Sequence, residues 1–212
     1  PNITLCELWY KLRTKYSYSR HIGSLYRVLR KLNIIKEINI KGTSKYTPKP
    51  YDTPTELGVK WQMDVKYVPS VCYTGTVPQK FYQYTMLDEA SRERFIYPYM
   101  EQSSYSTVDF VKRCIDYFGY APQIIQTDNG IEFTHVKNTK RIHPLDILCN
   151  ELHIIHKLIR PRMPQHNGKV ERSHRNDQER FYNFLKFYSY DDLKIQMKRY
   201  NHRSNKIPMQ VL

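Results

Sequence analysis

The chain has 212 residues, enough for one sizeable core or a core with a small appendage. Its 40% apolar and 25% charged residues are ordinary for a globular protein and exclude a fibrous or disordered chain. The net charge of +14 is the footprint of a polyanion binder, with nucleic acid ahead of an anionic membrane surface.

No apolar run approaches the length of a membrane span, and no lipidation signal adjoins a basic amphipathic helix. The opening "PNITLCELWYKLR" has no signal-peptide core and does not begin with Met. That points to a fragment or processed chain, with further residues expected before Pro1 and after Leu212. Cys6, Cys72, Cys114 and Cys149 form no C-x-x-C pair and read as reduced, mostly buried thiols.

The charge is concentrated early. Residues 1–50 carry 11 Lys and Arg against two acids, whereas the remaining 162 residues carry 23 against 18. "CELWYKLR" and "HIGSLYRVLRKLN" have helical spacing, the second with a stripe of Ile22, Leu25, Leu29 and Leu32. Arg27, Arg30 and Lys31 lie off that stripe. Two short helices with a basic second member fit part of a helix-turn-helix over residues 1–41, and equally a plain helical hairpin with solvated lysines. Residues 42–58, rich in Pro and Gly, read as an extended linker.

"VKWQMDVKYV" alternates strictly, with Val59, Trp61, Met63, Val65 and Tyr67 on one face and Lys60, Gln62, Asp64 and Lys66 on the other. "FYQYTMLDEASRERFIYPYM" reads as two strands joined by a turn at residues 88–91. "STVDFVKRCIDYFG" reads as a helix with a Ser106–Asp109 capping box, a buried stripe of Val108, Val111, Ile115 and Phe118, and a stop at Gly119. "PQIIQTDNG" is a short strand ending in a turn, "PLDILCNELH" a helix and "IIHKLIRP" a strand. His153 and His156 would then point to opposite faces of that strand, which argues against zinc. "KVERSHRNDQERFYNFL" reads as a long helix, and residues 191–212 as a helical extension. Three strands followed by alternating helices and strands imply an α/β mixed sheet with flanking helices.

Three carboxylates stand out, each with an ordinary explanation. Asp64, on the polar face of a strand, suits a surface ion pair with Lys60 or Lys66. Asp128 suits an Asp-Asn-Gly turn, although strand ends are also where sheet proteins present site residues. Glu171 suits dipole compensation behind an Asn167 N-cap, and pairing with Arg175. Together, in a chain this basic, the three suggest carboxylates gathered around Mg²⁺ or Mn²⁺ beside a DNA surface. Lys169, Arg172 and Arg175 would then hold phosphates beside Glu171.

"WQMDVKYV", "IIQTDNGIEF" and "RPRMPQHNGKVERSHR", in this order, resemble the catalytic core of retroviral integrases and of the DDE transposases of bacterial insertion sequences. "LDEASRERF" and "YNHRSNKIPMQVL" add to the likeness, which covers residues 20–212. The 43-residue interval from Asp128 to Glu171 is longer than is usual in the superfamily. The resemblance implies a ribonuclease H-like fold, with a catalytic core over residues 59–190, and it favours the helix-turn-helix reading. It implies that Asp64, Asp128 and Glu171 are catalytic and hold two Mg²⁺ ions when DNA is bound. It also implies that Asn129, Gly130 and Glu132 line the site, while Pro164, Gln165, Asn167, Gly168 and Lys169 shape the approach to Glu171. Asn129, Gln165 and Asn167 thereby join Lys169, Arg172, Arg175, Arg27, Arg30 and Lys31 as expected DNA contacts. The two-His, two-Cys zinc module of retroviral integrases is absent from the sequence, which favours a transposase. The implied activity is end cleavage and strand transfer on double-stranded DNA. A homo-oligomer on DNA, with no membrane association, and a bacterial cytoplasmic location at the nucleoid go with it. A nuclease of the same fold and a domesticated, non-catalytic DNA-binding protein are the alternatives.

Overall fold

The computed structural model describes residues 3–35, 53–135, 141–159 and 167–207. The chain divides into two compact units, Pro1–Asp52 with Arg203–Leu212, and Thr53–His202.

The described residues before Thr53 include the helices α1 (Leu5–Tyr16) and α2 (Ile22–Lys31). Thr4 caps α1 by accepting from the Glu7 N–H at 3.2 Å, and Ser17 ends it in the left-handed region at φ 53°. His21 Nδ1 accepts from the Gly23 N–H at 3.1 Å to open α2. Of the expected apolar stripe only Leu25 is buried, and Leu32 lies just beyond the helix, exposed. Among the described residues α2 has α1 to pack on, and one such contact covers less than a full stripe. Arg27, Arg30 and Lys31 are exposed. Arg27 donates to the Gly23 carbonyl and Arg30 lies over the Tyr26 ring.

In the second unit, β1 (Lys60–Tyr67), β2 (Tyr82–Asp88), β3 (Arg94–Tyr99), β4 (Ile124–Thr127) and β5 (Ile155–Leu158) form one sheet in the order β3-β2-β1-β4-β5. The pairs β1–β2 and β2–β3 are antiparallel, and β1–β4 and β4–β5 are parallel. The helices among this unit's described residues are α3 (Ser104–Phe118), α4 (Pro144–Glu151), α5 (Gly168–Asp177) and α6 (Tyr190–Lys206), the end of α6 from Arg203 belonging to the first unit. This is the mixed sheet with flanking helices that the element order implies. No helix among the described residues is long and apolar enough to cross a membrane.

Trp61 and Met63 of β1 enter a core with Phe110, Val111 and Cys114 of α3. The other face of β1 is not solvated as alternation alone suggests. Gln62 is 1% exposed, because α5 lies over it and donates the Val170 N–H to its side chain. Alternation therefore identifies the strand, but a central strand has both faces covered.

Helix α3 begins before the expected capping box, with Ser103 accepting from the Ser106 N–H. Asp109 instead binds the Tyr99 hydroxyl and Arg113, each at 2.6 Å. The buried face is Thr107, Phe110, Val111 and Cys114, leaving Val108, Ile115 and Phe118 at its margins. Gly119 ends the helix at φ 77° as expected. His153 lies in the turn before β5 at φ 56°, not on the strand. His156 is on β5, with Nδ1 2.6 Å from Asp146 Oδ1 and Nε2 2.9 Å from Thr127 Oγ1.

The expected long helix stops at Asp177 and widens into a π-turn, Gln178–Tyr182. Asp177 is fully buried, paired with Arg94 at 2.6 Å and bonded by Tyr200 and Gln83. The wide turn lets the adjacent Phe181 and Tyr182 both face inward, into a second core with Phe187, Leu193 and Met197.

Candidate active site

Asp64 lies on β1 opposite Thr85, in the middle of the sheet. Its Oδ1 accepts from the Val65 N–H at 2.8 Å. The two lysines expected to pair with it are directed elsewhere: Lys60 to Glu89, and Lys66 over the Tyr182 ring. Burial pushes the Asp64 carboxyl up to about 7, helped by the charges of Asp128, Glu171 and Glu132, and the Val65 N–H opposes the shift. Charge from three acidic residues distant in sequence thus acts on Asp64.

Asp128 follows β4 and retains its turn role, with Oδ1 accepting from the Gly130 N–H at 2.9 Å. The turn and site readings are compatible, because the second carboxylate oxygen is not needed for the turn. Glu171 is exposed in the first turn of α5. Glu132 is buried, its carboxylate bonded by Gln102 Nε2 at 2.5 Å, and its backbone carbonyl accepts from Thr107. Gly130 lets that carboxylate approach, since a Cβ there would stand 2.5 Å from Glu132 Oε2. Gly130→Ala should therefore cost about 1–3 kcal/mol in urea unfolding, as overpacking against a bonded, buried group does. Unchanged stability would mean that Glu132 relocates freely.

His174, three residues after Glu171, places Nδ1 3.4 Å from Asp64 Oδ2 and Nε2 2.9 Å from Thr85 Oγ1. Burial lowers its pKa to about 4, so near neutral pH this is a contact of a neutral imidazole rather than an ion pair. No sequence pattern marks His174. Only its i+3 position on the helix that carries Glu171 hints at the role.

The other expected contacts divide. Arg172 and Arg175 are exposed on α5. Asn129 is exposed, its amide donating to the Ile159 carbonyl at 3.1 Å. Asn167 stands at the N-cap of α5 without a capping bond; it is 2% exposed and donates to the Met63 carbonyl, and its Oδ1 has no hydrogen-bond partner among the described residues. Lys169, expected as a phosphate contact, is partly buried, with Nζ 2.8 Å from Glu89 Oε2 and 3.0 Å from Thr53 Oγ1. Among the described residues nothing stands within 4 Å of where a Gly168 Cβ would be. Pro164 and Gln165 lie outside the described residues.

Among the described residues no three His, Cys, Asp or Glu are drawn together closely enough to form a metal cage. The donor chemistry nevertheless fits a hard divalent cation. The residues whose charge acts on Asp64 are all carboxylates, and a cation among them would offset the repulsion that adds to burial in raising Asp64.

Comparison with known proteins places the chain. The integrase core domain family matches residues 54–164, more than half of it. This chain belongs to that family. A putative integrase, ORF3 of Spiroplasma virus SpV1-C74, is 36% identical over 160 residues. The match spans 71% of this chain and 41% of the relative, so the chain corresponds to less than half of that protein. A chain of the simian T-cell lymphotropic virus intasome, solved in complex with PP2A regulatory subunit B56 gamma, superposes with a TM-score of 0.57 at 17% identity, over 94% of this chain and 69% of its own. The HTLV-2 integrase catalytic core in complex with magnesium, in its trimeric form, superposes with a TM-score of 0.52 at 19% identity, over 73% and 90%. The integrase core here accordingly has the ribonuclease H-like fold, with Asp64, Asp128 and Glu171 on β1, after β4 and on α5.

Proposed function

We propose that this integrase core is a DDE-type polynucleotidyl transferase, a transposase that cleaves the ends of its element and joins them to target DNA. The observation that carries the reading is geometric: Asp64 stands in mid-strand on β1, Asp128 directly follows β4, the parallel neighbour of β1, and Glu171 lies in the first turn of α5, the helix that covers β1 at Gln62. Asp64, Asp128 and Glu171 would hold Mg²⁺ or Mn²⁺. Bound divalent ions supply charge neutralisation at the attacking and leaving oxygens of an in-line displacement.

Water attacks the phosphodiester at the element's end and the P–O3′ bond breaks; the freed 3′-hydroxyl then attacks a target phosphodiester in line, the target's own P–O3′ bond breaks, and a 3′-hydroxyl of the target strand leaves. Neither step forms a bond to the protein, so no serine or tyrosine nucleophile is needed. Arg172 and Arg175, exposed beside Glu171, would hold the phosphate backbone. Two element ends must meet, so at least a dimer assembles on DNA.

The deciding assay uses labelled duplex ends with Mg²⁺. Joined products support the transposase, hydrolysis without joining supports a nuclease of the same fold, and DNA binding without turnover supports a domesticated binder. The α1–α2 hairpin would read the element ends through Arg27, Arg30 and Lys31. Replacing all three by Gln should weaken DNA binding and lower the salt dependence by roughly three phosphate contacts. An unchanged salt slope would remove the hairpin from that role.

A further inference from the structure

Glu89 follows β2 and is fully buried, and its carboxylate faces two lysines. Its Oε1 accepts from Gln62 Nε2 at 2.6 Å and lies 3.2 Å from Lys60 Nζ; its Oε2 lies 2.8 Å from Lys169 Nζ. Its backbone N–H is tied to the Lys60 carbonyl at 3.0 Å. A buried carboxylate held by three donors from different segments is fixed in place, since any other position would leave one of these buried partners unpaired.

Two of these partners reach the first turn of α5. Lys169 is its second residue. Gln62, held by Glu89 through its amide nitrogen, accepts the Val170 N–H through its amide oxygen at 3.1 Å. That N–H is one a helix leaves orphaned and an N-cap side chain ordinarily satisfies. Here the N-cap residue, Asn167, makes no such bond. Its amide goes to the Met63 carbonyl instead. The start of α5 is thus bound to β1 at Met63 and Gln62, and to the end of β2 at Glu89. Glu171 is the next residue after Val170, so the same bonds fix the rotation of the helix about its axis and hence the direction in which Glu171 leaves it.

We infer that Glu89 is a positioning residue for Glu171, acting through Lys169 and Gln62, and that Lys169 is a structural tether rather than a phosphate contact. The inference rests on the catalytic reading of Glu171. The tether itself does not.

The test uses the full chain with Glu89→Gln, Lys169→Met and the double variant. Glu89→Gln keeps the shape of the group, and Lys169→Met keeps the stem while Lys60 still faces Glu89, so the fold has two routes to survival. Hydrogen exchange without metal or DNA should show the Val170 amide at least about 10-fold less protected in each single variant, with the β1 amides unchanged. The Mg²⁺ concentration that half-saturates strand transfer, and the Mn²⁺ concentration that half-saturates binding, should rise about 10-fold in each. The double variant should be no worse than either single, because both break one linkage. The salt slope of binding to random duplex should not change.

If Lys169→Met lowers that slope by about one while Glu89→Gln does not, Lys169 is a phosphate contact and the inference fails. Additive losses, or an unchanged Val170 exchange rate, also overturn it. If the parent chain joins no DNA and binds no Mn²⁺, the functional reading fails, and the exchange result still decides the tether.

Discussion

Asp64→Asn, Asp128→Asn and Glu171→Gln should each lower strand transfer by about 10³-fold or more while leaving the chain folded. A loss of that size is about 4 kcal/mol of transition-state stabilisation. The local structure explains why the fold survives. Asn at position 64 still offers an oxygen to the Val65 N–H, and Asn at 128 still offers one to the Gly130 N–H. Glu171 is exposed, so Gln there removes charge and little packing. What each change removes is an anionic oxygen where charge must be balanced during phosphoryl transfer. Surface ion pairs and turn residues predict the reverse, a stability change below about 1 kcal/mol with near-normal joining. Circular dichroism and urea unfolding beside the joining assay separate the two. Near-normal joining by any of the three variants would remove that residue from the catalytic set.

The parts of this site that were legible in the sequence are those set by local pattern. Alternation placed Asp64 on a strand, Asp-Asn-Gly placed Asp128 in a turn, and the run after Asn167 placed Glu171 at a helix start. What was not legible depends on which element covers which. The polar face of β1 looked solvated because Lys60, Gln62, Asp64 and Lys66 alternate with apolar residues. Only the position of α5 shows that Gln62 is a buried bridge and that Lys169 faces Glu89, 80 positions away. The same holds for α3, whose buried face turns toward Phe110 and Cys114 because the sheet and α4 lie there. Nor does helical periodicity foresee a π-turn, which arises where buried Asp177 meets Arg94, Gln83 and Tyr200 from three other segments.

Asp64→Asn should also make the metal-free protein more stable at pH 8, by about 1–3 kcal/mol, and leave it unchanged near pH 4. The folded chain holds Asp64 near pKa 7, against an ordinary value of 3.8. Above pH 7 the group is ionised both folded and unfolded, and the folded state bears the cost of a buried charge beside other carboxylates. As pH falls from 7 to 4 the folded chain takes up a proton that the unfolded chain does not, so this group's contribution to stability rises through that window and is level below it. The ceiling is about 4 kcal/mol, reduced by the solvent that still reaches the side chain. His174 works in the opposite sense. Its pKa is lowered from 6.5 to about 4, so the unfolded chain protonates first, and stability is lost as pH falls across nearly the same window. In the parent the two effects offset, and the stability profile from these neighbours is shallow. Removing one exposes the other: Asp64→Asn should lose stability on acidification below pH 6.5, and His174→Asn should gain it. Urea unfolding in EDTA at pH 4, 6 and 8 reads both slopes. Mn²⁺ added at pH 8 should stabilise the parent more than Asp64→Asn, since an ion on the carboxylates removes the same cost. Parallel profiles for parent and both variants would show that Asp64 and His174 titrate as they do in water, and that the carboxylates are not crowded.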